Sequence, residues 1–152
     1  MKDKQHPVLP RHTSFGWLVA VLSADVANSF DARLKEIGLN IGFWPTLFAL
    51  WEEDGITQSE LTNRCKTAHY TTTRVLDSLE KMDLVKRHPH PTSRRAHLVY
   101  LTEKGRSLEH EATLLAMQCN EEFLSHLSPN EQNEITTLIF KIIAGRNASL
   151  IG

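Results

Sequence analysis

Apolar residues recur at steps of three and four along the first quarter of the chain, which is the spacing of one face of an α-helix. The pattern begins at Phe15 and continues to Ile37, and the charged residues of this segment fall between its members. The apolar face consists of Phe15, Leu18, Val19, Leu22, Val26, Phe30, Leu34 and Ile37. Because the pattern is unbroken, it predicts one long helix.

Start and stop signals divide the next part of the chain into shorter helices. A second helix is predicted over residues 43–53, after a glycine-containing turn and before the Asp-Gly pair that ends it. A third is predicted over residues 59–65. Thr57 and Glu60, at its start, have the spacing of a capping box, in which each side chain accepts a hydrogen bond from the backbone N–H of the other residue.

A fourth helix is predicted over residues 68–82, with Thr67 as its cap and with Val75, Leu76 and Leu79 on its buried side. So short a connection to the helix before it is typical of a helix-turn-helix. The second helix of such a pair enters the major groove of DNA, where its first turns meet the base edges. The candidate DNA-contacting residues are therefore His69, Tyr70, Thr71, Thr72, Thr73 and Arg74.

The chemistry of these six side chains suits duplex DNA. Hydroxyl and imidazole groups can bond to phosphates or base edges, threonine methyl groups can contact thymine, and Arg74 is long enough to reach a phosphate or a guanine. The alternative is that three consecutive threonines are only β-branched filler. Threonine is a weak helix former, so it would be a poor choice for that purpose.

After the fourth helix, the apolar pattern changes to that of short strands. Strands are predicted over residues 84–88 and 97–101, and the prolines between them withhold hydrogen-bond donors and bend the chain. Arg94 and Arg95 lie in this protruding tip. Guanidinium groups suit the narrow, electronegative minor groove, although two arginines can also be a solvated surface pair. A helix-turn-helix followed by a two-stranded ribbon predicts a winged helix.

The charge distribution agrees with this prediction. The chain has 17 Lys and Arg against 18 Asp and Glu, a formal net charge of −1. Residues 56–106 nevertheless contain ten basic and five acidic residues, a local balance of +5, which leaves −6 for the rest. Screening limits the reach of each charge to about 8–10 Å, so a nearly neutral protein can present a local phosphate-binding surface. A solvated charged face is the alternative.

Two more helices are predicted after the ribbon. Thr102 is placed to cap the first of them, and Ser128 and Glu131 form a capping box with proline at the first helical position of the second. The apolar face of the first consists of Leu108, Ala112, Leu115, Cys119 and Phe123, and that of the second of Ile135, Leu138, Ile139, Ile142 and Ile143.

The first and last helices lie outside the predicted DNA-binding core and bury little against it within one chain. A second copy of the chain would cover their apolar faces, so a two-fold dimer is predicted. Such a dimer presents two recognition helices about 34 Å apart and requires an inverted-repeat operator.

The sequence contains no pattern that predicts catalysis or a cofactor. It shows no nucleophile paired with a base, no phosphate-binding glycine loop and no convincing pair of carboxylates, so the protein is not predicted to be an enzyme. His88, His90 and His97 suggest zinc, but their spacing in a flexible hairpin and the missing Cys or carboxylate partners argue against a metal site.

Two cysteines, Cys65 and Cys119, are too far apart in sequence to indicate a disulfide framework or a metal knuckle. No apolar run reaches the roughly 18 residues that span a bilayer, and a reducing cytoplasm is the expected location. An inert buried thiol is the favoured interpretation of Cys65. Redox sensing is the alternative, because Arg64 and Lys66 lie beside Cys65 in sequence and basic neighbours lower the pKa of a thiol.

Residues 56–105 resemble the MarR family of bacterial transcription regulators, and the upstream segment is closest to its SlyA-like members. The resemblance covers about residues 12–125, and the order of elements is preserved. The matching segments are Gly38-Leu39, Trp44–Leu50, Gln58–Leu61, Thr73–Glu80, Leu84–Arg87, Ser93–Ala96 and Leu101–Gly105.

Three positions depart from the family pattern. The wing of the family usually carries Asp two residues before its arginine, where this chain has Ser93 before Arg95. The first Asp of the wing is replaced by His90, and Ala68 stands where many members have Asp or Ser. Without the carboxylate, the tip is expected to be more positive and Arg95 less firmly oriented.

The resemblance implies an intertwined helical dimer built from both ends of the chain, residues 1–37 and 106–152, around a winged helix at residues 38–105. It also implies a site for aromatic carboxylates or phenolics where these parts meet, and the matching residues are His12, Phe15, Trp44 and Phe48. Core packing is the alternative role of these four side chains.

The predicted function is therefore a dimeric, sequence-specific DNA-binding regulator, a repressor released by a small aromatic ligand. Two alternatives stay open. The chain could be a winged-helix protein-interaction module without a DNA target, or a regulator that senses redox conditions through a cysteine.

Overall fold

The computed structural model describes residues 7–146 of the chain. After a short 3-10 turn at Arg11–Thr13, the elements are α1 (Phe15–Glu36), α2 (Trp44–Glu52), β1 (Ile56–Thr57), α3 (Gln58–Cys65), α4 (His69–Lys81), β2 (Val85–Pro89), β3 (His97–Leu101), α5 (Glu103–Ser107), α6 (Glu109–Leu124) and α7 (Pro129–Arg146). The predicted fold class, mainly α with a small β-wing, is confirmed. No helix among residues 7–146 is both long enough and apolar enough to cross a membrane.

The wing contains one more strand than the sequence indicated. β1 pairs antiparallel with β3, so the sheet has three strands in the order β1-β3-β2. Ile56 lies opposite Val99, and both side chains are buried. Because β1 is only two residues long and runs directly into α3, its sequence lacks the alternating pattern that identifies a strand.

One core joins the helix-turn-helix to the sheet. α2, α3 and α4 each contribute leucines that are almost fully buried, and α1 and α6 pack against each other at one side of this core. The most completely buried apolar side chains are Leu34, Leu47, Leu50, Leu61, Leu76, Leu79, Leu84, Val85, Val99, Ala112 and Cys119. Val75, which was predicted on the buried side of α4, is only half-buried.

The predicted caps are formed in full at two of the four helix starts. Thr102 Oγ1 accepts a hydrogen bond from the N–H of Gly105 at 3.0 Å, as expected for a cap. Ser128 and Glu131 form the predicted reciprocal box, in which the Ser128 N–H donates to Glu131 Oε2 at 2.8 Å and the Glu131 N–H donates to Ser128 Oγ at 3.5 Å. The acceptance of backbone and hydroxyl hydrogen bonds from Ser128 lowers the pKa of Glu131.

The predictions at α3 and α4 need correction. Thr57 Oγ1 caps α3 by accepting from the Glu60 N–H at 3.1 Å, but the Glu60 side chain pairs with Arg64, so only half of the box is present. Thr67 does not cap α4: the cap residue is Ala68, which has no hydroxyl. Because α4 begins at His69, Thr67 lies outside its first turn and its hydroxyl is 3.0 Å from Thr72 Oγ1 instead.

Two apolar surfaces are not covered within the protomer. In α1 only Phe30 and Leu34 are buried, and α7 contains no buried residue at all. The exposed large apolar side chains of α1 are Phe15, Trp17, Leu18, Val19, Val21 and Leu22, and those of α7 are Leu138, Ile139, Phe140, Ile142 and Ile143. The apolar face predicted for α1 is therefore divided into a buried C-terminal part and an exposed N-terminal part.

Candidate DNA-binding interface

The N-terminal turns of α4 present an exposed polar surface. His69, Tyr70, Thr71 and Arg74 are exposed, and 68% of the Tyr70 surface is accessible. Their spacing places Tyr70 and Arg74 one turn apart on the same face. This surface has the side-chain chemistry and the location on the second helix of the motif that a recognition helix requires.

Thr72 does not belong to this surface, and the prediction that it contacts DNA is wrong. Only 1% of its surface is accessible, and its hydroxyl is paired with that of Thr67. The reason is helical geometry: Thr72 lies four residues before Leu76 and seven before Leu79, on the face that packs into the core.

Thr73 is half-buried, and its hydroxyl is already engaged. Its Oγ1 donates to the carbonyl oxygen of His69 at 3.0 Å and accepts from Nε2 of Gln58 at 2.8 Å. Gln58 is the first residue of α3. Thr73 therefore links the two helices of the motif, and this contact fixes the position of α4 rather than leaving the hydroxyl available to a base.

Arg74 is held against Tyr70. Its Nη1 donates to the tyrosine hydroxyl at 3.2 Å, and its guanidinium carbon lies 5.5 Å from the centroid of the ring. The two contacts restrain a side chain that would otherwise sample many rotamers in water. Both residues stay exposed, so the guanidinium keeps its remaining donors available.

The wing tip carries Arg94 and Arg95, and both are exposed. Between residues 7 and 146, neither arginine makes an ion pair with an acidic group. The tip is closed by its own backbone: the His90 N–H donates to the carbonyl oxygen of Ala96 at 3.0 Å.

His90 performs a local structural task at the tip. Its Nδ1 accepts a hydrogen bond from the N–H of Thr92, two residues later, at 3.2 Å. This is the arrangement that an Asp side chain makes in an Asx-turn. The imidazole thus occupies the role of a turn acceptor without adding a negative charge beside the arginines.

The wing stem is attached to α4 by Arg87, a residue that the sequence patterns did not indicate. Its Nη2 lies 2.5 Å from Asp77 Oδ1 and 2.5 Å from Glu80 Oε2, and its backbone N–H donates to Glu80 Oε1 at 3.0 Å. The hydrogen bond from the guanidinium lowers the pKa of Glu80 and raises that of Arg87. The two acids lie three residues apart on one face of α4, a spacing that could have suggested a shared basic partner.

Comparison with known proteins identifies the family of this chain. The sequence profile of the MarR family matches residues 39–97. The transcriptional regulator HosA of Escherichia coli O111:H- is 30% identical over 95 residues, which is 62% of this chain and 70% of HosA. The chain belongs to the MarR family. Its members are transcription regulators and not enzymes.

Solved MarR-like structures share the fold. A MarR transcriptional regulator from Methanosarcina mazei Go1 superposes with a TM-score of 0.80 at 28% identity, covering 86% of this chain and 94% of that one. The MepR protein of S. aureus, solved as a complex with DNA, has a TM-score of 0.79 at 21% identity, covering 87% and 98%. The SlyA-like subgroup stays a prediction.

A cavity of about 440 Å³ lies where α1 and α6 of this MarR protein meet α2. Two of the four predicted ligand residues, Trp44 and Phe48, line it with their rings stacked at a centroid distance of 5.1 Å. Within the protomer, His12 and Phe15 do not line this cavity and are exposed. The other lining residues are Val26, Phe30, Thr113, Ala116, Met117, Cys119 and Asn120.

Cys65 does not have the properties predicted for a redox sensor. Burial raises the pKa of its thiol, and the Thr46 hydroxyl, 3.8 Å away, lowers it to a smaller extent. Arg64 was expected to stabilise the thiolate, but its guanidinium pairs with Glu53 and Glu60. Among residues 7–146, no group of three or more His, Cys, Asp or Glu side chains could hold a metal ion, the three wing histidines included.

Proposed function

We propose that this MarR-family regulator binds an inverted-repeat operator as a homodimer and represses transcription until a small aromatic ligand releases it. The observation that carries the proposal is the combination of two exposed surfaces in one chain. One is polar and basic, on α4 and the wing tip, and the other is apolar, on α1 and α7. The first requires an anionic partner and the second an apolar one.

For the DNA contact, His69, Tyr70, Thr71 and Arg74 are proposed to face the major groove. Arg94 and Arg95 are proposed to reach the adjacent minor groove, where an inserted guanidinium is favoured electrostatically. Thr73 is assigned a supporting role, since its hydroxyl joins α4 to α3. Thr72 is left out because it is buried.

For the dimer, residues 1–37 and 106–152 are proposed to form the dimerisation region and residues 38–105 the DNA-binding region; residues 1–6 and 147–152 lie outside the described part of the chain. Support comes from the many large apolar side chains of α1 and α7 that are exposed in the protomer. Contiguous apolar surface of this kind is rare on soluble monomers and marks an interaction site. A two-fold axis then brings two recognition helices to half-sites about one turn of DNA apart.

For ligand control, the cavity beside Trp44 and Phe48 is proposed as the binding site. It is lined mainly by apolar and aromatic side chains, with Thr113 and Asn120 as polar groups. A ligand there would touch α1, α2 and α6 at once, and it would act by favouring one spacing of the two recognition helices over another. Shifting such an equilibrium almost completely requires about 10⁴-fold selectivity between the two shapes.

The proposal is tested by selecting duplexes from random-sequence DNA with the purified protein and then measuring binding of the recovered sequence by gel shift. The expected result is an inverted repeat bound by two chains, with binding weakened by some members of a panel of aromatic carboxylic acids and phenols. Enrichment of no sequence over the starting library would contradict the DNA-binding proposal and favour a protein-interaction module. An operator that no aromatic acid or phenol releases would contradict the ligand.

A further inference from the structure

The wing and the recognition helix are joined through one arginine and two acids. Arg87 lies on β2, while Asp77 and Glu80 lie in the second half of α4. Glu80 makes two of the three contacts, because one of its oxygens accepts from the Arg87 backbone N–H and the other from the guanidinium. A backbone hydrogen bond from strand to side chain fixes the strand itself and not only a flexible side chain.

The cluster of Arg87, Asp77 and Glu80, which we call the Arg87 clamp, is partly buried, and this burial favours one ordered geometry. The Arg87 side chain is 21% exposed and that of Glu80 is 32% exposed, against 49% for Asp77. An isolated surface ion pair contributes little, but a partly buried arginine shared by two carboxylates and a backbone N–H is restrained in several directions.

The clamp lies where the recognition helix contacts the strand that leads to the wing tip. Tyr70, at the start of α4, lies about 15 Å from Glu80 along the helix axis, because the two residues are ten positions apart and an α-helix rises about 1.5 Å per residue. β2 leaves the clamp towards Arg94 and Arg95. The clamp therefore connects the helix that carries one of the proposed DNA-contacting surfaces to the strand that leads to the other.

We infer that Glu80 is a positioning residue: by holding β2 against α4, it sets the distance between the wing-tip arginines and the recognition helix. The inference rests on the proposed function. A preorganised pair of contacts binds more tightly than two contacts that must first be aligned, because less conformational freedom is lost on binding. Loss of the clamp is expected to weaken what Arg95 contributes while leaving α4 itself folded.

The test is a double-mutant cycle on a duplex recovered by selection from random-sequence DNA, with an unrelated duplex of equal length as reference. Dissociation constants are measured for the wild type, Arg95→Ala, Glu80→Ala and the double variant. Alanine is a good helix former, so Glu80→Ala does not weaken α4 intrinsically. If the clamp positions the wing, the fold-loss of affinity caused by Arg95→Ala is smaller in the Glu80→Ala background than in the wild type, by a factor of at least about two.

A control separates positioning from charge. Glu80→Ala removes one negative charge near the DNA and so tightens non-specific binding slightly. Glu103→Ala is the control for this effect of charge, because it removes one negative charge from an exposed position on α5 that does not contact the clamp. The Arg95→Ala penalty should be unchanged in the Glu103→Ala background. Glu80→Gln, whose amide oxygen can still accept from the Arg87 N–H, should restore part of the penalty.

The outcomes are distinguishable. A wild-type protein that prefers no duplex over the reference would remove the proposed function and the inference with it. Intact operator binding with the same Arg95→Ala penalty in all backgrounds would overturn the positioning role alone. Thermal melts of each variant show whether Glu80→Ala is folded, and if it is not, the Asp77→Asn background, which loses one clamp contact, is measured in its place with the same expectation.

Discussion

The carbonyl oxygen of Leu84 leaves no room for a side chain at Gly105, since a β-carbon added there would overlap with that oxygen. Gly105 is buried in α5, and its own carbonyl oxygen accepts a hydrogen bond from Nε1 of Trp51 at 3.0 Å. The start of β2, the short helix α5 and the end of α2 therefore meet at a glycine. Any larger residue must push apart two backbone segments that cannot move independently.

The substitution Gly105→Ala is expected to lower the free energy of unfolding by about 1–3 kcal/mol, the usual cost of overpacking a tight site. Gly145→Ala is the matched control, because a β-carbon at Gly145 meets nothing within 4 Å and alanine is preferred in helices by up to about 1 kcal/mol. Urea denaturation of both variants measures the difference. Equal unfolding free energies of the two variants would mean that the backbone at Leu84 shifts to accommodate the methyl group at little cost in free energy.

Replacing Tyr70 tests whether its contact with Arg74 shapes base preference. Tyr70→Leu removes both the ring and the hydroxyl and should broaden the sequences recovered by selection, with a loss of about 2- to 5-fold in operator affinity because an exposed cation–π contact contributes about 0.5–1 kcal/mol. Tyr70→Phe keeps the ring and should stay near the wild type. A Leu variant with unchanged base preference would show that Arg74 is oriented by DNA alone.

The wing arginines should account for part of the salt dependence of binding. Arg94→Ala and Arg95→Ala are each expected to weaken operator binding by about fivefold or more, the loss of a charged contact. For every phosphate that an arginine neutralises, the slope of log affinity against log salt should fall in magnitude by about 0.9. Titrations between low and moderate salt give both quantities. Two variants that bind like the wild type would exclude the wing from the interface.

An arginine placed on the exposed apolar face of α7 should prevent dimerisation. Ile139 is 45% exposed in the protomer, so Ile139→Arg does not disturb the core, but a two-fold interface would bury the new charge twice. The dimer dissociation constant should rise by at least about 30-fold, measured by sedimentation. Asn133→Arg, an exposed position outside the predicted apolar face of α7, is the control. A dimer that tolerates Ile139→Arg would place the interface elsewhere.

Acid should weaken the Arg87 clamp. Arg87 lowers the pKa of Glu80 below its ordinary value, which is about 4.3 in peptides, so protons bind this carboxylate more readily in the unfolded chain. The stabilisation of the fold by the contact between Glu80 and Arg87 is therefore complete at pH values above the ordinary pKa of glutamate. It is lost as the pH falls through the lower pKa that Glu80 has in the folded state. The difference in unfolding free energy between the wild type and Glu80→Gln should shrink from neutral pH to about pH 3. A constant difference would contradict the assignment.

Local patterns predicted most of the helices, the hairpin and the apolar helices at the two ends of the chain that stay uncovered in the protomer, because each is determined by side chains close in sequence. The helix predicted from Thr102 through Phe123 is divided at Leu108 into α5 and α6. The caps at Thr102 and Ser128 depend on residues only three positions apart and were predicted correctly. Thr67 was misassigned because α4 begins one residue later than predicted, which makes Ala68 the cap. Thr72 was misassigned because its chemistry was weighed and its position was not: its spacing from Leu76 and Leu79, which were predicted on the buried side, already places it on the inward face.

Contacts between residues distant in sequence could not be read from the chain. The pairing of β1 with β3 joins residues more than forty positions apart, and the bond from Trp51 to Gly105 joins residues 54 apart. The redox alternative for Cys65 depended on its sequence neighbours and does not hold for the same reason. These neighbours are basic, but Arg64 pairs with Glu53, eleven residues before it, and burial raises the pKa of the thiol, in agreement with the favoured interpretation of a buried thiol.

The place of β3 between β1 and β2 has a consequence for how regulators of this kind diverge. A one-residue shift in β3 would turn Val99 and Leu101 out of the core, so the strand cannot vary in register without unfolding the domain. The loop from His90 to Ala96 is held by its own hydrogen bonds and contributes nothing to the interior. After gene duplication, a copy can therefore change the length and charge of this loop and acquire a new target site while the rest of the protein stays as it is.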